Sequence, residues 1–194
     1  MRIITGDFRG TKLEVPSNYD VRPTTDKVKE ALFNIICRYL EDAIVVDLFA
    51  GTGNLGLEAL SRGACKCHFC DNSITSVKLI KKNIEHCKAE EHSVIHFCDF
   101  TNCLNQINEK INVFFLDPPY KKNFYEKCFV KIKELDLMAD EGIIIAEHSK
   151  DEEFPDYFCG FNKLKEKRYG TIIISIYGWI KYKFLLKYRH EFGG

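Results

Sequence analysis

The chain of 194 residues has no net charge, because 28 lysines and arginines balance 28 aspartates and glutamates. Domains that bind nucleic acid without specificity are usually strongly basic, so the overall charge argues against that class. The sequence also lacks an apolar run near the roughly 20 residues that a membrane-spanning helix needs. Its first ten residues, MRIITGDFRG, lack the apolar core and cleavage site of a secretory leader. We therefore expect a cytoplasmic protein that does not contact a membrane.

Hydrolase and metal motifs are missing as well. The six histidines accompany no serine or cysteine nucleophile motif, which leaves a hydrolase triad without support. Nine cysteines are an odd number, and most lie in apolar stretches that are typical of reduced, buried thiols. The segment Cys65-x-Cys67-x-x-Cys70 has no second pair at zinc-ribbon spacing, and strand alternation predicts Cys67 and Cys70 on opposite faces. We therefore expect no metal site.

The zero net charge conceals an uneven distribution. Residues 1–38 carry 7 basic and 5 acidic groups, residues 39–160 carry 13 and 21, and residues 161–194 carry 8 and 2. An acidic middle is therefore flanked by two basic ends. This pattern leaves room for nucleic-acid contact through the ends of the chain, beside an acidic central pocket.

From residue 44 onward, short apolar segments alternate with amphipathic ones. This alternation predicts an α/β fold with a mostly parallel sheet covered by helices on both faces. Residues 161–167 and 171–177 predict an antiparallel hairpin at the C-terminal edge of that sheet. The predicted strands are 44–49, 66–71, 93–98, 112–116 and 142–147, and the predicted helices are near 54–62, 73–87, 101–108 and 123–135.

The N-terminal residues form a separate small unit in this prediction. Residues 2–5 and 11–15 predict the strands of a β-hairpin, whose loop contains Gly6 and Gly10. A helix should begin near Thr24 or Thr25 and pack its apolar face on the main domain. The apolar positions of that helix are Val28, Leu32, Ile35, Ile36 and Tyr39. The predicted segments are thus a hairpin at 1–22, a main domain at 23–178 and a basic aromatic tail at 179–194.

A glycine-rich loop follows the first predicted strand of the main domain. Gly51, Gly53 and Gly56 match the GxGxxG pattern between a strand and a helix, where backbone can approach a ligand closely. Asp71, about 20 residues beyond Gly51, ends the second strand and can accept both hydroxyls of an adenosine ribose. Asp47 precedes the loop, where an acid favours the cationic tail of S-adenosylmethionine (SAM) over the pyrophosphate of a dinucleotide.

The most specific motif is Asp117-Pro118-Pro119-Tyr120 at the end of the fourth predicted strand. Two prolines fix the backbone and remove two N–H donors, so the loop presents acceptors. The Asp117 carboxylate adds another acceptor, and Tyr120 offers a flat ring. Acceptors beside a stacking ring suit an exocyclic amino group on a planar base.

These motifs together resemble the amino-modifying class I SAM-dependent methyltransferases and, more closely, the bacterial RsmD family, which methylates N2 of a guanine in 16S ribosomal RNA. The resemblance covers residues 1 to about 178. It rests on Arg2-Ile3-Ile4-x-Gly6, Arg9-Gly10-x-Lys12-Leu13, Arg22-Pro23-Thr24-Thr25-Asp26-x-Val28-x-Glu30-x-Leu32-Phe33-Asn34, the stretch from Asp47 to Gly63, and Asp117-Pro118-Pro119-Tyr120.

The resemblance implies a role for each matching residue. The cofactor would contact Thr24, Asp47, Phe49, Ala50, Gly51, Gly53, Asp71, Asp99 and Asp117, with Asp71 on the ribose and Asp99 on the adenine amino group. The catalytic set would be Asp117, Pro118 and Tyr120, and the RNA would contact Arg2, Arg9, Lys12, Arg22, Pro119 and Tyr120. The implied partner is 16S ribosomal RNA, within an assembling or assembled small subunit, and the expected protein is a monomer.

Three alternatives stay open at this point. The same motif serves methyltransferases acting on adenine N6 or on other guanines in nucleic acid. An NAD-dependent oxidoreductase would share the glycine loop, although Asp47 and the Asp117 loop count against it. A catalytically silent RNA-binding module would share the fold.

Overall fold

A computed structural model describes residues 1–16, 26–118 and 123–179. The helices are α1 (Asp26–Ile36), α2 (Asn54–Ser61), α3 (Ile74–Cys87), α4 (Phe100–Gln106) and α5 (Asn123–Glu134). The strands are β1 (Ile44–Asp47), β2 (Lys66–Asp71), β3 (Ser93–Phe97), β4 (Ile111–Leu116), β5 (Met138–Ser149), β6 (Tyr157–Phe158), β7 (Phe161–Tyr169) and β8 (Ile172–Gly178). In the described ranges, no helix is long and apolar enough to cross a membrane.

The strands form one sheet in the order β3-β2-β1-β4-β5-β8-β7-β6. The first five are parallel to one another, whereas β8 pairs antiparallel with β5 and β7 pairs antiparallel with β8. This arrangement confirms the predicted α/β fold and its C-terminal antiparallel hairpin. The strand order reverses at β1, between β2 and β4, which is where open α/β sheets place their ligand sites.

Each face of the sheet carries its own hydrophobic layer. Helices α1, α2 and α3 and the N-terminal segment cover one face, and α4 and α5 cover the other. Alternation along β2 places Cys67 in the first layer and Cys70 in the second, as the sequence predicts. Within the described ranges, no group of His, Cys, Asp or Glu side chains is arranged to hold a metal ion.

The predicted N-terminal hairpin is present but shorter than predicted. Arg2 and Lys12 form an antiparallel bridge, and three backbone hydrogen bonds of 2.9 to 3.1 Å join the two sides of the hairpin. The pairing stops there because the Ile4 and Thr5 amides donate to the Glu58 carboxylate (2.9 and 3.2 Å). The segment is therefore a short hairpin bound to α2.

Helix α1 packs against the first layer as predicted, with two differences. Tyr39 lies beyond the end of the helix, in a 3-10 turn, and is only half-buried. Val28, Leu32 and Ile36 are buried, but Phe33 is buried in place of Ile35, which is only half-buried. The predicted start at Thr24 or Thr25 lies outside the described residues, as does the tail beyond Trp179. Trp179 itself packs on Phe161, with ring centroids 4.4 Å apart.

Candidate active site

A cavity of about 690 Å³ opens at the carboxyl ends of the parallel strands. Its wall contains one carboxylate from the end of each of these five strands, and the described lining residues include no lysine or arginine. The five acids are Asp47, Asp71, Asp99, Asp117 and Glu147. Such a wall gives the cavity a negative potential, which suits a cationic ligand.

Two of the predicted acids shape the glycine loop. The Gly51 amide donates to Oδ2 of Asp71 (2.9 Å), and the Gly56 amide donates to Oδ2 of Asp47 (3.2 Å). Gly51 and Gly53 both have positive φ, +55° and +79°, which residues with a Cβ rarely adopt. The loop that the sequence singled out is therefore held open by the carboxylates on either side of it.

Asp47 is buried beneath this loop. Burial raises the pKa of its carboxyl to about 7, and the nearby Asp71 adds to the effect, whereas the Gly56 amide opposes it. A cation placed beside Asp47 would favour the ionised form. We therefore expect the Asp47 carboxyl to lose its proton when a positively charged group binds beside it.

Asp71 keeps capacity for a ligand. One of its oxygens accepts from Gly51 and the other from the Ser73 amide (2.8 Å), at the start of α3. A carboxylate offers about four lone-pair positions, so these two bonds leave room for ribose hydroxyls.

Asp99 caps helix α4. Its Oδ1 accepts from the amides of Thr101 and Asn102 (2.9 and 3.0 Å), and its Oδ2 accepts from the Asn102 side chain (2.6 Å). These bonds, led by the one from the Asn102 amide, lower the pKa of Asp99. The residue has a structural task that the sequence did not indicate, and its predicted contact with adenine stays a prediction.

Three phenylalanines form an aromatic cluster at the cavity wall. The ring centroids of Phe49, Phe100 and Phe124 are 5.8 to 5.9 Å apart. Phe49 was predicted, whereas Phe100 and Phe124 were missed. Their signal in the sequence was proximity to Asp99 and to the Asp117 loop. The rings are tilted by 41° or stand nearly edge-to-face at 76° to 78°, so together they form an angled apolar wall that can contact a nucleobase.

Asp117 and Pro118 line the same cavity. Asp117 is open to the cavity, and the protein atoms around its carboxyl, together with the nearby Glu147 and Asp47, raise its pKa. Glu147 was missed in the sequence reasoning, as was the buried Tyr125, whose hydroxyl donates to the Glu147 carbonyl. Thr24, Arg22, Pro119 and Tyr120 lie outside the described residues.

A buried ionic network ties the N-terminal segment to the glycine loop. Lys29 Nζ lies 2.9 Å from Oε2 of Glu58 and donates to the Arg2 carbonyl and to Oδ1 of Asn54 (both 2.7 Å). Asn54 is part of the cavity wall. The Glu58 carboxylate also accepts from Arg62 Nε (2.8 Å). No sequence pattern indicated this network, because it forms only where the N-terminal segment, α1 and α2 pack together.

The predicted RNA-contacting side chains of the N-terminal segment lie at the surface. Arg2, Arg9 and Lys12 are exposed, and Arg2 Nε pairs with Oδ2 of Asp26 (3.0 Å). Their role in RNA contact stays a prediction.

The parallel sheet with its antiparallel final strands, and the acid-lined cavity at its switch point, define a class I methyltransferase. A family model described as Conserved hypothetical protein 95, the RsmD family, matches residues 1–178. The chain belongs to this family, which confirms the resemblance.

Named relatives cover most of the chain. Ribosomal RNA small subunit methyltransferase D of Escherichia coli (strain K12) is 33% identical over 177 residues, which are 91% of this chain and 89% of that protein. The protein of the same name from Haemophilus influenzae is 35% identical over 182 residues, 91% of this chain and 93% of its own. The solved structure of yhhF from Escherichia coli has a TM-score of 0.82 at 32% identity, covering 91% of this chain and 96% of that one.

Proposed function

We propose that this protein transfers a methyl group from SAM to the exocyclic N2 amine of a guanine in 16S ribosomal RNA of the small subunit. The observation that carries the proposal is that Asp117 and Pro118 share one cavity with the acids of the glycine loop, Asp47 and Asp71. A cation-binding half and an amine-binding half thus face each other. The names of the Escherichia coli and Haemophilus influenzae relatives support the choice of substrate.

The residues of the cavity fit SAM. Asp47 would attract the ammonium group, Asp71 would accept from the ribose hydroxyls, and the ring cluster around Phe49 would contact the adenine. When bound, SAM supplies a methyl group that is activated by its attachment to a sulfonium. No metal is needed for that chemistry.

The Asp117 loop would position the amine. The lone pair of a guanine amino group is delocalised into the ring, so the amine is a weak nucleophile and catalysis depends on orientation. The Asp117 carboxylate and the Pro118 carbonyl would each accept one amino hydrogen, which aims the nitrogen lone pair at the methyl carbon. Methyl transfer in this arrangement would form the N–C bond and break the C–S bond, with the electron pair left on sulfur. Tyr120 would stack on the unstacked base.

The proton released from the nitrogen needs an acceptor. The Asp117 carboxylate is the nearest group in this arrangement, because it would already accept one of the amino hydrogens. Asp117 would therefore take this proton as well as orient the amine.

The RNA would approach along the N-terminal segment and the residues that follow it. Arg2, Arg9 and Lys12 are exposed there, and Arg22, Pro119 and Tyr120 complete the predicted set. The protein would act in the cytoplasm as a monomer. Membership of a methyltransferase family leaves the oxidoreductase alternative without support.

Substitution of Asp117 tests this assignment. We expect Asp117→Ala to abolish methyl transfer to small-subunit RNA, because the amine loses its main acceptor, while SAM affinity by calorimetry stays nearly intact. Asp136→Ala, at a largely exposed carboxylate paired with Lys110, is the matched control and should retain full activity. Loss of SAM binding with normal turnover at saturating cofactor would contradict the assignment of Asp117.

A further inference from the structure

We propose that Glu147 is a specificity-determining residue: its carboxylate accepts the N1–H of the target guanine and thereby excludes adenine. The inference rests on the proposed function and deepens it, because it concerns the same cavity. It does not follow from the glycine loop or from the Asp117 motif, and the sequence did not indicate it.

Strand register places Glu147 next to Asp117. Leu116 of β4 pairs with Ala146 of β5 in parallel, so the residues that follow them, Asp117 and Glu147, are neighbours on adjacent strands. Adjacent strands lie about 4.8 Å apart. The influence of Glu147 on the pKa of Asp117, which exceeds that of Asp47, agrees with this proximity.

The two carboxylates also leave the sheet on the same face. Phe115 and Ile145, two residues before Asp117 and Glu147, both belong to the layer covered by α1, α2 and α3. Because side chains alternate along a strand, Asp117 and Glu147 share that side. Both line the cavity.

The order of the strands fixes which carboxylate meets which atom. Asp47 is on β1, Asp117 follows β4 and Glu147 is on β5, in that spatial order across the sheet. The methyl donor would lie over β1, so the reacting amine points from Asp117 toward β1. The ring of the base, with N1 beside the amine, then extends back toward β5 and Glu147.

Tyr125 helps to hold this end of β5 in place. Its hydroxyl donates to the backbone carbonyl of Glu147, and its ring packs on Phe154 with centroids 4.8 Å apart. On the same face, His148 stacks on Phe154 and its Nε2 lies 2.9 Å from Ser175 Oγ. The strand end that carries Glu147 is therefore supported from the face opposite to the Glu147 side chain.

The chemistry of the base edge supplies the discrimination. Guanine presents two neighbouring donors, N1–H and N2–H, and a pair of carboxylates can accept one each. Adenine presents an acceptor at N1 beside its amine, so an ionised Glu147 carboxylate there would face a lone pair and could make no hydrogen bond to N1. A site built to accept a hydrogen bond rejects the analogue that lacks the donor.

2-Aminopurine tests this contact, because it keeps the N2 amine of guanine but has no hydrogen on N1. It also lacks O6, so the contact at N1 is assigned by how the ratio for the two bases changes between wild type and the Glu147 variants. The target position is first mapped in small subunits with wild-type protein. Small subunits are then reconstituted from ligated RNA that carries either guanine or 2-aminopurine at that position. The measured quantity is the ratio of kcat/KM for the two bases.

We expect wild-type protein to prefer guanine by at least about tenfold. In Glu147→Gln the amide can accept from guanine N1–H or donate to 2-aminopurine N1, so the ratio should fall to within about threefold of unity. Glu147→Asp, which keeps the carboxylate, should retain the preference for guanine. Glu153→Gln, at an exposed acid on the following loop, is the control and should keep the wild-type ratio.

The outcomes separate the two proposals. A wild-type protein that methylates no guanine N2 overturns the proposed function and this inference with it. If guanine is methylated but Glu147→Gln keeps the wild-type ratio, or if wild-type protein does not distinguish the two bases, the inference fails and the proposed function stands. Calorimetry with SAM verifies that Glu147→Gln remains folded and retains its cofactor site.

Discussion

Asp47 shows how one buried residue links stability to ligand binding. Its pKa of about 7 lies above the ordinary value of 3.8, so between these two pH values the folded protein binds more protons at this site than the unfolded chain. The free energy of unfolding therefore decreases as the pH rises through this window. An ionised Asp47 lowers the stability of the fold when no cation is beside it. A bound cation would restore that stability.

Replacing Asp47 by asparagine should separate the effect of its ionisation on stability from its effect on ligand binding. Because Asn cannot ionise, we expect Asp47→Asn to raise the free energy of unfolding at pH 8 by about 1 to 3 kcal/mol relative to wild type. Near pH 4, where Asp47 is protonated, the difference should be small. Urea unfolding at both pH values measures it, with Asp7→Asn, at an exposed acid, as the control. Equal effects at both pH values would contradict the assignment of the raised pKa to Asp47.

The same carboxyl predicts a pH dependence of SAM affinity. SAM must compete with a proton below pH 7, so its dissociation constant should increase by up to about tenfold per pH unit as the pH falls. Binding at pH 7 should also release protons, which calorimetry in buffers of different ionisation enthalpy detects. In Asp47→Asn the affinity should be weaker and nearly independent of pH. An unchanged pH dependence in that variant would assign the proton to another group.

The sequence could predict those site residues that directly follow strands. Asp47, Asp71, Asp99 and Asp117 stand at or just after strand ends, where the carboxyl edge of a parallel sheet brings them together. Glu147 also stands near a strand end but belongs to no motif. Phe100, Phe124 and Lys29 were missed because their place in the site depends on how α4, α5 and α1 pack, which no local pattern encodes.

The N-terminal segment depends on helix α2 as much as on its own pairing. Besides Glu58, Ser61 accepts from the Phe8 amide and donates to the Thr5 carbonyl (2.9 and 2.6 Å). Asn83 of α3 binds both backbone groups of Glu14. The sequence of residues 1–16 predicts longer strands than the structure has, because side chains of two helices bind the backbone groups beyond the short paired part.

Removing the charge of Glu58 should therefore loosen the N-terminal segment from helix α2. In Glu58→Gln the buried Lys29 ammonium loses its countercharge, and we expect a loss of about 3 kcal/mol of stability. Amide hydrogen exchange should accelerate at Ile4 and Thr5 more than in β4. Glu85→Gln, at an exposed position of α3, is the matched control. Unchanged protection at Ile4 and Thr5 would show that the segment is held by other contacts.

Helix α2 packs on β2 so closely that Gly56 admits no side chain. A Cβ there would lie 2.3 Å from Cε1 of Phe69 and 2.6 Å from Sγ of Cys67. We expect Gly56→Ala to cost about 2 kcal/mol and to weaken SAM binding, because the helix must move away from the glycine loop.

Gly10→Ala provides the comparison for Gly56→Ala. Its φ is +87°, but no atom lies within 4 Å of the position that a Cβ would take, so only backbone strain should appear, at about 1 kcal/mol. Thermal unfolding of both variants, with SAM affinity alongside, measures the difference. Equal losses of stability in the two variants would mean that the contact of a Cβ with Phe69 and Cys67 does not add to the cost of Gly56→Ala.

Over the whole molecule, the zero net charge is the sum of an acidic middle and basic ends that have different predicted roles. The acidic middle of the chain contributes the five carboxylates of the cavity, whereas the exposed Arg2, Arg9 and Lys12 belong to the basic N-terminal part. The charge of the chain as a whole therefore argued against an RNA partner, while its distribution allows one.

Arg9 and Lys12 can be tested together as RNA contacts. We expect their double alanine variant to weaken RNA binding and to lower the slope of log K against log salt by about 1 to 2, since one phosphate contact contributes about 0.7 to 0.9. The slope for wild type should itself be shallow. Alanine at Lys127 and Lys133, exposed on α5, serves as the control. An unchanged slope in the first variant would place the RNA elsewhere.

The chemical identity of the product decides whether the proposed function is right. Small subunits from a strain that lacks this activity would be incubated with the protein and methyl-labelled SAM, and their RNA would be digested and analysed by mass spectrometry. We predict N2-methylguanosine at one position with wild-type protein and none with Asp117→Ala. Labelled N6-methyladenosine, or no labelled nucleoside from wild-type protein that binds SAM, would contradict it.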